Sequence, residues 1–321
     1  MEEIGGYFEL ELRKGKEYHQ NAIRLNTGRN AFEYILRAKN YTKVYLPYYT
    51  CDVMLEPINK LNLKYNFYPI DSTFNPIFDF SLIKENDVFV YTNYFGICDG
   101  QVKIISKKCK NLIIDNSQAF YSKPLPGIDT FYSARKFFGV PDGAYLSINK
   151  ELEDDIKQDY SYDRCEHLLG RIDLGAEKFY GSFKRNESLL KGQPIKLMSK
   201  LTQRLLESID YDEIAKKRQN NFNYLHSVLK KDNKLNIKLD LEKETVPMIY
   251  PFLIDNGQEL KKKLIENKIF VATYWPNVFG WTDKDSFEYK LTKHLLPLSI
   301  DQRYEKNELN IIVKHLKKNL L

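Results

Sequence analysis

The chain has four cysteines in 321 residues, Cys51, Cys98, Cys109 and Cys165, none in C-x-x-C spacing and none accompanied by a paired-histidine motif. A zinc site is therefore not expected, and a reducing cytoplasm is the plain reading. No apolar run approaches the roughly 18 residues a bilayer crossing requires. The opening MEEIGGYFELEL lacks a basic region ahead of an apolar one, so neither a secretory leader nor membrane insertion is expected. Neither G-x-G-x-x-G nor G-x-x-x-x-G-K-[ST] occurs, which removes the usual dinucleotide and P-loop readings. There is no internal repeat and no low-complexity tract. Charge of one sign is also scarce: the net charge is +6 at pH 7, with lysines dispersed. That balance alone suits an anionic small substrate as well as a nucleic acid, and no motif for a nucleic-acid partner accompanies it.

What is present describes a globular protein. Hydrophobic residues make up 43% and charged residues 29%, enough for one large or two unequal domains with a substantial core. Val44-Tyr45-Leu46, Tyr65 to Asp71, Asp87 to Thr92, Leu112 to Ile114 and Thr130 to Tyr132 read as strands. Helical spacing of Ala31, Phe32, Ile35 and Leu36, and a helix over Asp52 to Leu61, fall between them. This alternation predicts an α/β protein with a mostly parallel sheet. Ligands of such sheets collect beyond the carboxyl ends of the strands, which gathers Asn93, Asp115 and the turn after Pro47 at one edge. Further on, Pro194 to Asp210 reads as an amphipathic helix. Thr245 to Ile254 and Ile269 to Tyr274 read as strands, Glu259 to Asn267 and Glu305 to Leu320 as helices.

The most informative stretch is LIIDNSQAFYSKPLPGIDTFYSARKFFGVPDGAYL, Leu112 to Leu146. One apolar strand ends in Asp115, and the next β-prone run delivers Ser133 and then Lys136. A carboxylate at a strand end, followed in the same layer by one lysine among apolar neighbours, is what pyridoxal phosphate needs. The carboxylate keeps the pyridine nitrogen protonated, and the amine condenses with the aldehyde as a Schiff base. Ser133 is placed to meet the phosphate. Upstream, Asn26-Thr27-Gly28 caps a helix whose free amides and dipole suit a phosphate. Each residue has an ordinary reading too: a turn or cap for Asp115 and Asn93, a solvated charge for Lys136, a plain helix cap for Thr27-Gly28. Their joint occurrence in order, with Gln118 and Asp142-Gly143, is poorly explained by chance. Arg135, if close, would depress the Lys136 pKa by like-charge repulsion; its ordinary reading is a surface ion pair.

These segments resemble the DegT/DnrJ/EryC1/StrS family of sugar aminotransferases, which belong to fold type I of the pyridoxal phosphate enzymes. IIDNSQAF is similar to the family's acidic strand end, YSARKFFGVPDGAYL to its serine, lysine and glycine segment, and Thr27-Gly28-Arg29-Asn30-Ala31-Phe32 to its phosphate turn. NYFG and LPLSIDQRY match further motifs, so the resemblance runs from about Leu25 to the end. It implies a large α/β/α domain with an N-terminal arm over 1–210 and a smaller α+β domain over 211–321. It implies pyridoxal 5'-phosphate held by Gly28, Arg29, Asn30, Asn93, Asp115, Gln118, Ser133 and Lys136, with Lys136 and Asp115 catalytic. Tyr49 is the nearest stacking aromatic, although Cys51 aligns with that position. A homodimer, an amino-acid donor such as glutamate and a nucleotide-linked keto sugar, serving surface polysaccharide or glycoconjugate synthesis, are likewise implied. Tyr274 and Trp275 either line the acceptor pocket or pack the small domain. Family members that dehydrate sugars carry histidine in place of the lysine, and this chain keeps Lys136. IKLMSKL lacks the asparagine with which relatives reach a neighbouring subunit's phosphate site, which leaves a cofactor-free binding subunit as the other alternative.

Overall fold

The alternation of residue types along five strands decides how the sheet packs. Val44 and Leu46, Val88 and Val90, Ile113, Phe131, and Ala144 and Leu146 point one way into an aliphatic core with Phe32, Ile35 and Leu36. Tyr45, Phe89, Tyr91, Ile114, Tyr132 and Tyr145 point the other way into an aromatic one. This is the period-2 geometry of strands buried on both faces.

The computed structural model describes residues 4–320. Its main sheet contains β1 (Ile23–Leu25), β2 (Lys43–Pro47), β3 (Lys64–Tyr68), β4 (Asp87–Thr92), β5 (Leu112–Asn116), β6 (Asp129–Ser133) and β7 (Ala144–Ser147), in the order β1-β7-β6-β5-β4-β2-β3. Strands β2 to β6 are mutually parallel, and β7 is antiparallel to β6 and β1. Helices α1 (Gly28–Lys39), α2 (Leu55–Lys60) and α3 (Asp99–Ser106) connect the early strands. After β7 come α4 (Glu166–Leu174), α5 (Tyr180–Leu190) and α6 (Lys200–Glu207). The remainder is α7 (Tyr211–Leu229), β8 (Ile249–Leu253), α8 (Gly257–Glu266), α9 (Phe287–His294), β9 (Leu295–Ser299) and α10 (Lys306–Leu320), with β8 and β9 paired antiparallel. The architecture is α/β with a mostly parallel sheet, as expected.

Two expected elements differ. The helix expected over Pro194 to Asp210 is confined to α6. Ahead of it the chain runs extended beside β1, with Asn26 N donating to Lys196 O and Met198 N to Arg24 O. Ser199 then caps α6 by accepting from Thr202 N, so the capping serine overrides the longer amphipathic pattern. Ile269 to Tyr274 forms no strand and pairs with neither β8 nor β9, although Val271 is buried and Phe270 exposed as in a strand.

The aromatic core continues from the main sheet into the C-terminal elements without a break. Arg218 of α7, 1% exposed, crosses between them. Its guanidinium donates to Met248 O at 3.0 Å and Phe137 O at 3.3 Å, and it lies over the Phe137 ring at 4.6 Å. Near the other end of the chain, Tyr18 and His19 insert among Phe120, Tyr121, Tyr132, Tyr145 and Tyr211, where His19 Nε2 donates to Phe120 O at 2.7 Å. Among the described residues no helix is long and apolar enough to cross a membrane, and no three His, Cys, Asp or Glu residues are grouped to hold a metal ion.

Candidate active site

Register brings the sequence-selected residues to one sheet edge. Asp115 on β5 pairs with Thr92 on β4 and Phe131 on β6. Asp115, Thr92 and Ser133 share strand parity with Ile113, Val90 and Phe131, so all three project toward the side occupied by α1. Helix α1 begins beside them: a Cβ built on Gly28 would lie 3.8 Å from the Phe131 ring and 3.9 Å from Ser133 Cβ. Thr27 caps α1 by accepting from Asn30 N, and the first intrahelical bond runs from Ala31 N to Thr27 O. The amides of Gly28 and Arg29 precede that bond, at the positive end of the helix dipole beside the Ser133 hydroxyl.

Asp115 and Lys136 are joined through a residue that sequence reasoning passed over. Ser117 N donates to Asp115 Oδ1 at 2.8 Å, and Lys136 Nζ donates to Ser117 Oγ at 3.0 Å. Burial pushes the Asp115 carboxyl up from its ordinary range, while the Lys136 charge and the two Ser117 interactions pull it back. Lys136 itself is exposed at the cleft. Thr92 Oγ1 and Gln118 Nε2 are buried without partners, and Gln118 Oε1 accepts from Phe95 N. The signal for Ser117 was the Asp-x-Ser spacing, a common side-chain-to-amide turn.

Other selected residues are placed differently. Asn93 spends its side chain inside the protein: Nδ2 donates to Asp99, Asn116 and Ser122, and Oδ1 accepts from Cys98 N. Its turn reading is the one the geometry carries. Asn30 Nδ2 is engaged by Asn26 Oδ1 and Pro194 O, so only its backbone serves the α1 terminus. Tyr49 is fully buried against Tyr94 and Trp275, a junction with the C-terminal elements. Cys51 is the residue of that turn whose thiol senses the Lys136 charge, although burial is the larger influence and pushes the thiol up. Trp275 is buried and Tyr274 half-buried beside it, its hydroxyl pushed up to about 12 by burial. Arg135 and Lys136 diverge. Arg135 pairs with Glu187 of α5, and the cations it senses are Arg29 and Arg164, whereas Lys136 bonds Ser117. Asp142 is occupied in receiving Ser199 N, Ser199 Oγ and Thr202 Oγ1.

The donor set fits pyridoxal 5'-phosphate: a buried carboxylate compensated by one lysine, the unpartnered Thr92 hydroxyl on the neighbouring strand, and two helix-terminal amides next to a serine hydroxyl.

No family model matches the chain, and no curated protein matches it in sequence. Solved structures match it in shape. S. venezuelae DesV, in complex with a ketimine intermediate, superposes with a TM-score of 0.63 at 14% identity, over 92% of this chain and 84% of that one. The putative sugar aminotransferase Spr1654 of Streptococcus pneumoniae in its PLP form gives 0.65 at 14% identity, over 92% and 86%. Sugar aminotransferase CalS13 of Micromonospora echinospora gives 0.62 at 13% identity, over 93% and 87%. A DegT DnrJ EryC1 StrS aminotransferase of Brucella abortus also matches, with a TM-score of 0.61 at 14% identity, over 92% and 85%. The chain has the fold of these DegT/DnrJ/EryC1/StrS-type sugar aminotransferases.

Proposed function

We propose that this protein is a pyridoxal phosphate-dependent aminotransferase. It passes an amino group from an amino acid, glutamate in the first instance, to a nucleotide-linked keto sugar destined for polysaccharide or glycoconjugate synthesis. The observation that carries this reading is the Asp115–Ser117–Lys136 relay at the carboxyl edge of a sheet shared with sugar aminotransferases. The reading extends to a cytoplasmic homodimer, with residues 1–210 forming the cofactor-binding domain and 211–321 the smaller one.

When bound, pyridoxal 5'-phosphate supplies an aldehyde for an amine and a ring able to take up an electron pair. The chain's residues provide the rest. Asp115 holds a proton at the ring nitrogen, and its burial makes that charged hydrogen bond strong. Ser117 keeps the Asp115 carboxylate oriented through its amide and parks Lys136 Nζ on its hydroxyl. Released from Ser117, the Lys136 amine would take a proton from the donor carbon and deliver it to the cofactor carbon, serving as general base and then general acid. Gly28, Arg29 and Ser133 would hold the phosphate, and Gln118 Nε2 and Thr92 Oγ1, buried without partners, have bonding capacity left for the bound group.

The test is the absorbance of purified protein titrated with the cofactor, beside Lys136→Ala. The expected result is a visible band in the wild type that the substitution abolishes and that glutamate converts to the shorter-wavelength amine form. A wild type without a lysine-dependent band at saturating cofactor overturns the reading and leaves a binding subunit. Keto-sugar nucleotides are then screened as acceptors.

A further inference from the structure

The exposed side of α9 borders a cavity that the proposed chemistry does not use. It measures about 450 Å³, and its lining comes from α9, the turn before it and the turn that follows β8. Small-molecule sites run from roughly 300 to 1,000 Å³, and no lining residue belongs to the candidate active site. Helical spacing puts Lys290, Lys293 and His294 on one face of α9, and Lys284 joins them from the preceding turn. Two carboxylates face these cations, Asp255 and Asp285. Asp255 is already met by Lys234, and among the described residues Lys284, Lys290 and Lys293 are in no ion pair. His294 Nδ1 is buried without a partner. Burial and then the Lys293 charge lower the His294 pKa, with Lys290 adding to the effect and Glu259 and Asp255 opposing it. The cavity is thus short of negative charge: three ammonium groups and an unsatisfied ring nitrogen stand against two carboxylates, one of them shared.

The wall that carries these groups is fixed from behind. Ser286 caps α9 by accepting from Tyr289 N, and its own amide donates to Asp283 O at 3.0 Å. On the inner face Leu291 is fully buried, and Glu288, 2% exposed, accepts from Ile70 N at 2.7 Å. Tyr289, which also lines the cavity, has its ring edge-on to Phe279 at 4.9 Å. Binding there would order little beyond the lysine side chains. The chemistry of the lining selects the ligand. Ammonium groups and an imidazole N–H are donors for a phosphoryl group. A bare phosphate would leave most of the volume unfilled. The two carboxylates repel a second anionic group but accept from hydroxyls, and the Tyr289 ring offers an apolar surface to a sugar or a base.

We infer that this cavity binds a phosphorylated sugar, with Lys290, Lys293 and His294 holding the phosphoryl group and Asp255 and Asp285 receiving the hydroxyls. The site is separate from amino transfer and does not depend on the cofactor reading. Two sources present this chemistry, a free sugar phosphate and a nucleoside monophosphate.

The experiment is calorimetric binding of inorganic phosphate, glucose 1-phosphate and UMP to the wild type, to the double variant Lys290→Gln with Lys293→Gln, to Asp285→Asn and to Lys136→Ala. The double variant is expected to weaken both organic phosphates about ten-fold or more. Asp285→Asn is expected to tighten inorganic phosphate about two-fold and to weaken the hydroxylated ligand about five-fold. In proton NMR the His294 ring signal, identified by its absence in His294→Gln, should titrate at higher pH once the ligand is bound. A preference for glucose 1-phosphate assigns the site to free sugar phosphates, and a preference for UMP assigns it to nucleotides. Inorganic phosphate bound as well as either overturns the assignment, as does absent binding, binding that the lysine substitutions leave unchanged, or a His294 signal that no ligand moves. Lys136→Ala should bind as the wild type does; a loss there would place the ligand in the active site and overturn the inference, whereas a missing cofactor band alone removes only the aminotransferase reading. Circular dichroism of each variant checks that the fold is retained.

Discussion

Asp115 is subject to two opposed demands. Its raised pKa means the folded state binds its proton more tightly than the unfolded chain, so stability falls as pH rises through the carboxyl range, and at neutral pH the buried charge is a cost. Asp115→Asn keeps an oxygen to accept from Ser117 N. It is expected to stabilise the cofactor-free protein by about 1 kcal/mol at pH 7 while removing amino transfer, which urea unfolding and the glutamate half-reaction check together. His19 behaves in the opposite sense. Burial lowers it from 6.5 to about 4, so the folded state excludes the proton. The stabilisation is complete above pH 6.5 and is lost as pH falls toward 4. Between pH 7 and 5 the loss attributable to His19 is about 2 kcal/mol. The pH dependence of the urea midpoint should flatten in His19→Gln. The positions of Asp115, Lys136, Ser133 and Gly28 were legible because strand ends and a capped helix fix where they lie. The directions of the Asn93, Asn30, Tyr49 and Arg135 side chains were not, since each is set by partners distant in sequence, such as Pro194 for Asn30 and Trp275 for Tyr49.

At the scale of elements, the strands that align with an apolar run flanked by turn residues were read nearly to their ends, and β4 to its limits. The misread segments, Pro194 to Asp210 and Ile269 to Tyr274, are those where tertiary pairing decides: one runs paired beside β1 and the other pairs with no strand. A turn whose role the sequence hinted at is Asp142-Gly143. Gly143 has φ +119°, and a Cβ there would lie 3.0 Å from Thr202 Cγ2. Its carbonyl accepts from Ala134 N, in the turn that carries Lys136. Gly143→Ala is expected to cost about 1–3 kcal/mol. A lowered urea midpoint and weaker cofactor binding would appear together, because α6 and the lysine turn press on the same position.

For the whole molecule, the unbroken aromatic core makes the C-terminal elements part of the same packing unit as the sheet. Arg218 is the polar member of that junction. Arg218→Met removes a buried donor from the carbonyls of Phe137 and Met248, and is expected to cost about 3 kcal/mol. The lysine-dependent absorbance band should weaken in parallel with the unfolding midpoint. A variant that lost the band with an unchanged midpoint would show that Arg218 acts on the lysine turn alone.

Because Arg218 donates to the carbonyl of the residue that follows Lys136, the turn that carries the lysine is braced from α7. A ribosome must therefore have released α7 before the lysine turn acquires this support. A nascent fragment ending before Tyr211 would carry every residue of the proposed cofactor site and still lack that strut.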